Sequence, residues 1–505
     1  MITRDRFIES EGTAFPGKSY VDHLLRHVFN DQRDYLFKEM FAIHRAHVVM
    51  LTEQSIISRN EASVILKGVE KVRQTDYKKL EYDPLYEDLF FMMESKLSEE
   101  IGPDLAGKIH IARSRNDMGV AMYRLVLREH ILTLIESSLQ LADALLVQAF
   151  EHAETVMTAY THTQPAQPTT LGHYLAAIYD VFMRDTTRLW AAYESVNRSP
   201  LGAAALSTTG FPISRERVRQ LLGFHGLVEN SYDAIAGGDY LIETANASMS
   251  MMINAGRWIQ DFLQQATREF GVIRVADPYV QISSIMPQKR NPVSIEHSRS
   301  LASSAVGEAL AAIQMIHNTP FGDIVDTEDD LQPHLYRSYE KANRVVHLMH
   351  AVIQTMIVEK DVIGSRARTS CITITELADV LARDKGVPFR LAHRIASLVA
   401  KKCTVQQKEM DELKLDEVNE LIGSVHPVAL TEQEWGGITC PTEFVRRRKI
   451  QGGPNPDEVK RMIREREGKL RDLGVKLDIE RAKLKQADDE LNEAVSQLVS
   501  NNLIP

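Results

Sequence analysis

The stretch "VAMYRLVLREHILTLIESSLQLADALL", Val120 to Leu146, decides the fold, because it predicts one long uninterrupted helix. No glycine or proline lies between Gly119 and Pro165. A helix of about 40 residues spans about 60 Å, which is longer than a compact single domain needs. The apolar residues that keep roughly helical spacing are Met122, Leu125, Val126, Leu132, Ile135, Leu139, Leu145 and Leu146.

Four further stretches have the same pattern, at residues 173–199, 240–270, 293–319 and 334–363. Strand signals are almost absent, because alternating β-branched residues never persist between turn residues. Five long helices in one chain imply an extended bundle, so we expect an all-α fold.

We expect four regions along the chain. An N-terminal helical region would cover residues 1–110, the central long-helix bundle 111–362, a region of short helices 363–450, and a charged helical tail 451–505. In the tail a leucine recurs every seven residues, while Glu480 interrupts the second heptad position. A helix packed on its own subunit and a coiled coil both fit this pattern. The leucines are Leu470, Leu477, Leu484, Leu491 and Leu498.

Composition bounds the class of protein. The 505 residues are 44% hydrophobic and 25% charged, which are ordinary globular values, and the net charge of -10 argues against a nucleic-acid partner. The N-terminus has no apolar signal region, and no run approaches the ~20 apolar residues of a membrane-spanning helix. We therefore expect a soluble, cytoplasmic protein. We expect no disulfide framework or zinc site, because the three cysteines are far apart and lack the spacing of metal ligands. They are Cys371, Cys403 and Cys440.

Two polar segments flank the first long helix. "HIARSRNDM", His110 to Met118, places donors at the start of this helix, where an anion is favoured, although capping residues alone would also explain it. "THTQPAQPTT", Thr161 to Thr170, follows the helix, and Pro165 and Pro168 predict a turn there. His162 in this segment fits a structural and a functional role equally. Residues at opposite ends of so long a helix can share a site only if different subunits interleave, so we expect an oligomer.

The third polar segment is "SSIMPQKRNP", Ser283 to Pro292. Its two prolines fix φ and predict a loop between helices. Lys289 and Asn291 in this loop suit the binding of an anion.

The order of these segments resembles a known superfamily. "SSIMPQKRN" is similar to the signature loop of the fumarase/aspartase superfamily, whose pattern is Gly-Ser-Ser-x-Met-Pro-x-Lys-x-Asn. The stretches "RSRND", "THTQPAQP", "SPLGAAAL", "NSYDAI" and "LADVLARDKGVPFRLAH" resemble its argininosuccinate lyase branch, from about residue 20 to Pro454. The resemblance implies an elongated homotetramer with each site built from three subunits. It also implies a carbon–nitrogen lyase that releases fumarate and needs no metal or organic cofactor.

The same resemblance implies the catalytic residues. Ser283 is similar to the serine that takes the Cβ proton, and Lys289 is the nearest sequence candidate to make its alkoxide usable. His162 would pair with Glu296 and serve the leaving nitrogen, as general acid or as electrostatic support.

The implied substrate residues are donors for carboxylates. An aci-carboxylate intermediate carries two negative charges, so donors aimed at it favour the transition state over the substrate. Lys289 and Asn291 are the candidates for this group. The motif match adds the residues that would hold the succinyl carboxylates or line the site, namely Ser114, Arg115, Asn116, Thr161, Gln164 and Met286.

Several positions depart from the family pattern, and those around the amine half of the substrate matter most. Asp323 stands at a tyrosine position, Glu328 at a glutamine position and Leu331 at the lysine position that would pair with the arginine carboxylate. An acidic, partly apolar pocket suits a cationic or carboxylate-free amine, and an unpaired buried charge costs several kcal/mol. The other departures are Phe90 for histidine, Met118 for glutamine, Gly238 for arginine, Ile282 for glycine and Val293 for aspartate.

Three functions remain open at this point. The first is a lyase that eliminates fumarate from an N-substituted aspartate other than argininosuccinate, in the manner of ethylenediaminedisuccinate lyase. The second is argininosuccinate lyase proper. The third is an inactive structural or scaffold homologue, against which the retained Ser283, His162, Lys289 and Glu296 argue.

Overall fold

The computed structural model describes residues 3–500, and helices dominate it. The N-terminal part is a set of helices that ends just before the long-helix bundle. Its elements are α1 (Arg4–Glu11), α2 (Lys18–Tyr20), a π-helical turn (Val21–Leu25), α3 (Arg26–Tyr35), α4 (Phe37–Glu53), α5 (Arg59–Arg73), a 3-10 turn (Tyr77–Lys79), α6 (Leu89–Ile101) and α7 (Pro103–Lys108).

The central part contains the five predicted long helices and two short ones. The prediction of an all-α, elongated multi-helix bundle is confirmed. The helices are α8 (Arg115–Glu151), α9 (Leu171–Val196), α10 (Arg215–Leu221), α11 (Ser231–Ala236), α12 (Asp239–Gln265), α13 (Val293–Ile316) and α14 (Gln332–Thr355), with 3-10 turns at Asp277–Tyr279 and Val325–Thr327.

Consecutive long helices run antiparallel, so the bundle has two distinct ends. Near the start of α8, Arg124 donates to the Ser195 carbonyl at the end of α9, over 2.9 Å, and lies 3.7 Å from the Tyr240 ring at the start of α12. At the opposite end, Arg299 in the early turns of α13 donates to Gln260 near the end of α12, over 2.6 Å. We call these the Ser114 end and the His162 end, after the polar segment that each one carries.

Helix α8 is the core of the bundle. It is long and apolar enough to cross a membrane by length and composition, with mean hydropathy 1.3 in its most apolar window, of which 61% is buried inside the fold. This character of α8 was not expected from the sequence, because charged residues interrupt its apolar run. Because most of the window is buried, α8 has the character of a core helix in a bundle.

Two of the predicted helix ends are wrong. The first long helix stops at Glu151, where a strand begins a few residues later, although no glycine or proline marks the change. The last one stops at Thr355, and a short strand separates it from the next helix. Apolar periodicity does not determine where a helix ends when the residues that follow can instead pair as a strand.

Eight short strands form four two-stranded sheets, which the sequence analysis did not predict. The pairs are β1 (Val156–Thr161) with β2 (Gln164–Thr170), β3 (Arg198–Ser199) with β4 (Gly226–Leu227), β5 (Ile273–Arg274) with β8 (Ile357–Val358), and β6 (Gln281–Ile282) with β7 (Arg290–Asn291). All but the β3–β4 pair are antiparallel. These sheets matter for function because two of them carry the second and third polar segments.

The short C-terminal helices enclose a separate small hydrophobic core between Leu377 and Ile438. The four-region division of the chain stays a prediction. The helices are α15 (Lys360–Arg366), α16 (Ile374–Arg383), α17 (Phe389–Gln406), α18 (Leu415–Gly423), α19 (Glu432–Thr439) and α20 (Pro441–Arg447), with a 3-10 turn at Met410–Glu412.

The charged tail forms α21 (Pro456–Ser500), and residues 501–505 of the predicted tail lie outside the described residues. The sequence fitted both a coiled coil and a helix packed on its own subunit. In the structure α21 packs along its own subunit, with Leu477 and Leu491 buried in the main core. Glu480, which breaks the heptad, is buried and lies 2.5 Å from His225 Nε2. Glu480 therefore interrupts the leucine pattern in order to contact His225, and this contact fixes the position of α21 along the bundle.

Candidate active site

The first polar segment caps α8. The Ser114 hydroxyl accepts a hydrogen bond from the Asn116 backbone N–H over 3.3 Å and donates to the Asn116 side-chain oxygen over 2.9 Å. Asp117 completes a capping box by accepting from the Ser114 backbone N–H. The helix start therefore presents Ser114 and Asn116 in a fixed arrangement, where the helix dipole favours an anion.

Arg115 points from this segment into a pocket of about 270 Å³ at the Ser114 end. Its guanidinium lies 3.3 Å from an Asp88 carboxylate oxygen and 4.7 Å from the centre of the Phe91 ring. The pocket wall also contains Asn116 and the two residues predicted for the amine half, Asp323 and Glu328. One chain thus brings the "RSRND" segment and the "DIVDTEDDL" segment to the same cavity.

Much of the lining of this pocket is acidic. Burial, together with the neighbouring Asp323 carboxyl, raises the pKa of Glu328 above neutrality. Burial also raises the pKa of Asp329 and of Asp88, which line the same pocket. Carboxyl groups that resist ionisation when the pocket is empty would ionise readily beside a bound cation.

The pocket lining also has apolar residues, among them two of the departures from the family pattern, Phe90 and Met118. Phe90 packs edge-on against the His110 ring, with 5.5 Å between the ring centres. Tyr123 also lines the pocket with only 6% of its surface exposed, and its hydroxyl takes part in no hydrogen bond among residues 3–500. Sequence reasoning missed Tyr123, because nothing distinguishes it from the other apolar-face residues of α8.

The second polar segment is a β-hairpin rather than the proline-forced turn that the sequence predicted. Thr161 and Gln164 pair across the hairpin, and His162 and Thr163 form its two-residue turn. Both turn residues have positive φ, 50° and 62°, as this kind of tight turn requires. Neither is a glycine or an asparagine, so the backbone is strained where His162 stands, a feature that clusters at functional sites.

The third polar segment is a loop whose two ends pair as β6 and β7, so that Gln281 lies opposite Asn291. Within it the Ser283 hydroxyl oxygen accepts from the backbone N–H of Met286 over 3.1 Å and of Ile285 over 3.4 Å. Lys289 and Met286 are exposed, and their backbones are joined by one hydrogen bond. The signature-loop position Ile282 is 74% exposed, so its side chain is not packed against this subunit.

The two N–H donors on Ser283 were not anticipated by the sequence analysis, which named only Lys289. They form a serine turn, so Ser283 has a local structural role in the loop as well as the expected catalytic one. Hydrogen bonds to a hydroxyl oxygen favour its ionised form, so this geometry assists an alkoxide at Ser283.

The predicted site residues do not all meet within one chain. No hydrogen bond joins the three polar segments to one another anywhere in residues 3–500. The Ser114 end and the His162 end are separated by the 37 residues of α8, or roughly 55 Å. The second and third segments share the His162 end, and their side chains Thr161, His162, Gln164, Lys289 and Glu296 are exposed there.

The described residues include no group of three or more His, Cys, Asp or Glu side chains arranged to hold a metal ion. The chemistry of the candidate site is that of fixed cationic, amide and hydroxyl donors. Such donors suit a carboxylate-bearing substrate.

Comparison with known proteins identifies matches over most of the chain. The profile of the family described as "Lyase" matches residues 24–307, and the one described as "Argininosuccinate lyase C-terminal" matches residues 371–441. The chain is 39% identical over 468 residues to argininosuccinate lyase 2 of Agrobacterium fabrum, covering 92% of each protein. It is 38% identical over 452 residues to the argininosuccinate lyase of Methanosarcina barkeri, covering 89% of this chain and 91% of that one.

A solved structure of an EDDS lyase variant with bound fumarate has the same fold, with a TM-score of 0.86 at 32% identity over 94% of each chain. The class II fumarase of Schistosoma mansoni has a TM-score of 0.67 at 14% identity, covering 82% of this chain and 90% of that one. The fumarase therefore shares the fold alone.

Proposed function

The chain belongs to the argininosuccinate lyase family of fumarate-releasing carbon–nitrogen lyases, and from that premise we propose that its substrate is an N-substituted aspartate with a cationic amine half other than arginine. The observation that carries the proposal is the acidic wall of the pocket beside Arg115, formed by Asp323 and Glu328. A bound positive charge would be attracted here and would favour ionisation of Glu328, whereas the carboxylate of an arginine moiety would meet acidic side chains where it needs a cationic partner.

The elimination is proposed to start at Ser283. Its alkoxide takes the Cβ proton of the substrate, and the electron pair of the C–H bond moves into the adjacent carboxylate to give the aci-carboxylate. Lys289 and Asn291 would hold this dianionic group and stabilise the second negative charge as it develops in the transition state. The electron pair then returns from the carboxylate to form the C=C bond of fumarate and the C–N bond breaks. The nitrogen leaves with the electron pair of that bond and takes up a proton.

The leaving amine and the second carboxylate need further groups. His162, paired with Glu296, would donate the proton to the amine or support the charge there. Ser114, Asn116, Thr161 and Gln164 are proposed to hold the succinyl carboxylates, with Arg115 in support and Met286 lining the site.

We further propose that the protein is a cytoplasmic homotetramer with sites shared between subunits. The separation of the two bundle ends supports this, since the candidate groups can meet only across subunits. The long helices also expose large apolar side chains, including Phe150 of α8 at 51% and Ile253 of α12 at 50%. Association would cover these faces and shield the catalytic groups from water.

Argininosuccinate itself is the second candidate substrate. The names of the relatives at 38–39% identity favour it. The EDDS lyase structure, at 32% identity, shows that the family fold also occurs in a protein named for a different substrate.

Removal of the Glu328 charge tests the proposed pocket. Glu328→Gln keeps the shape of the side chain but cannot attract a cation, so KM for a diamine-derived aspartate should rise by roughly tenfold to a hundredfold. Because burial raises the pKa of Glu328 above neutrality, the wild-type KM should fall as pH rises through the alkaline range and this carboxyl ionises. The variant should lose that pH dependence, while KM for fumarate in the reverse direction stays nearly constant.

The matched control is Asp326→Asn, which removes an exposed carboxylate of the same segment that lies outside the pocket wall. It should leave both constants unchanged. Equal KM values for wild type and Glu328→Gln across the pH range would rule out the cationic pocket.

A further inference from the structure

The one carboxylate of the "RSRND" segment is buried and linked to a second loop. Asp117 has 0% of its surface exposed, and one oxygen accepts from the Ser114 backbone N–H over 3.0 Å. Its other oxygen accepts from the backbone N–H groups of Gly202 and Ala204, each over 3.0 Å. A single side chain therefore joins the start of α8 to the loop after β3.

Two residues of this loop have positive φ, so the loop depends on contacts with the rest of the fold for its conformation. Gly202 and Ala204 have φ values of 85° and 52°, and alanine rarely adopts such a conformation. Arg215 holds the loop from the other side, where its guanidinium donates to the carbonyls of Leu201 over 2.9 Å and Val228 over 2.8 Å. A Cβ at position 202 would lie 2.5 Å from Arg215 Cγ, so the glycine is required by this close approach.

We propose that Asp117 is a positioning residue for substrate binding: it fixes Ser114 and Asn116 against the 202–204 loop, so that their donors face the substrate carboxylate in one geometry. The inference rests on the proposed function, because it takes Ser114 and Asn116 as carboxylate-binding groups. Asp117 itself is enclosed and contacts no substrate.

The charge state of Asp117 agrees with such a role. Burial raises its pKa to about 6, while the three N–H donors and the positive charge of Arg113 act in the opposite direction. Arg113 and Arg215 are the charged groups that face it. Below this pKa the carboxyl becomes protonated and is a weaker acceptor, so carboxylate binding should weaken as pH falls through about 6.

Fumarate binding to the full-length protein, measured by titration calorimetry, tests the inference. Asp117→Asn turns an N–H2 group toward backbone donors, so the Kd of fumarate should rise by roughly tenfold to a hundredfold. The weakening of wild-type binding near pH 6 should be smaller in the variant.

Asp185→Asn is the matched control, since Asp185 is an equally buried carboxylate on α9 whose partners are Arg188 and Asn254. It should lower the unfolding temperature and leave the Kd of fumarate unchanged. A folded Asp117→Asn protein with wild-type affinity and pH dependence would overturn the positioning role. Absence of fumarate binding by the wild type would instead overturn the proposed function.

If Asp117→Asn does not fold, the pH dependence of wild-type binding tests the inference. A constant Kd of fumarate from pH 7 to pH 5, across the Asp117 pKa of about 6, would refute it.

Discussion

A Ser283→Ala variant should lose turnover by about a thousandfold or more, while it still binds fumarate with nearly wild-type affinity. The reason is that the substitution removes the group proposed to take the Cβ proton but leaves the carboxylate donors in place. The backbone N–H groups of Ile285 and Met286 bond to the Ser283 oxygen and would have no partner there in the variant. Steady-state kcat from the ultraviolet absorbance of fumarate and calorimetric Kd measure the two effects.

Two further variants make this result specific. Ser284→Ala removes the neighbouring hydroxyl of the same loop and should retain activity. His162→Asn should cost less than Ser283→Ala if the histidine only supports the leaving amine. Turnover by Ser283→Ala comparable to that of Ser284→Ala would contradict the assignment of the base.

Hybrid assemblies of two inactive variants should recover activity, because each site is expected to take its segments from different subunits. Ser283→Ala removes the base, and Asn116→Ala removes a carboxylate donor at the opposite end of the bundle. In a random mixture about a quarter of the sites would receive an intact Ser283 segment and an intact Asn116 segment from two different chains. Coexpression of the two chains with different tags, followed by purification on both tags, provides the hybrid.

Each variant purified alone is the control, and both should stay inactive. A hybrid that is as inactive as its parents would show that Ser283 and Asn116 of the same chain serve one site. The roughly 55 Å between the ends of α8 could not be reconciled with that result.

The sequence was sufficient for the long helices, because apolar periodicity without glycine or proline leaves few alternatives for Val120 to Leu146. It was insufficient for the hairpin that carries His162. Two prolines and a polar composition concealed β2, and the absence of glycine and proline before Pro165 placed β1 within the predicted helix. The structure pairs the two strands with each other.

Family resemblance located the segments of the site, and the structure revealed what holds the first of them in place. The Ser-x-x-Asp pattern of Ser114 and Asp117 is a visible capping signal, so the buried carboxylate could have been noticed. Its bonds to Gly202 and Ala204 could not, since they depend on how a distant loop folds back. The same is true of Tyr123, which lines the same pocket as Glu328 only because α8 packs beside the segment before α14.

The kcat/KM for fumarate release, measured on one preparation with argininosuccinate and with a panel of N-alkyl and diamine-derived aspartates, tests the central claim most directly. The panel should be run in reverse as well, with fumarate and the free amines. The acidic wall of Asp323 and Glu328 predicts that a substrate with a cationic, carboxylate-free amine half has the highest value, by roughly two decades over argininosuccinate. A kcat/KM for argininosuccinate well above that of every other substrate would contradict the account.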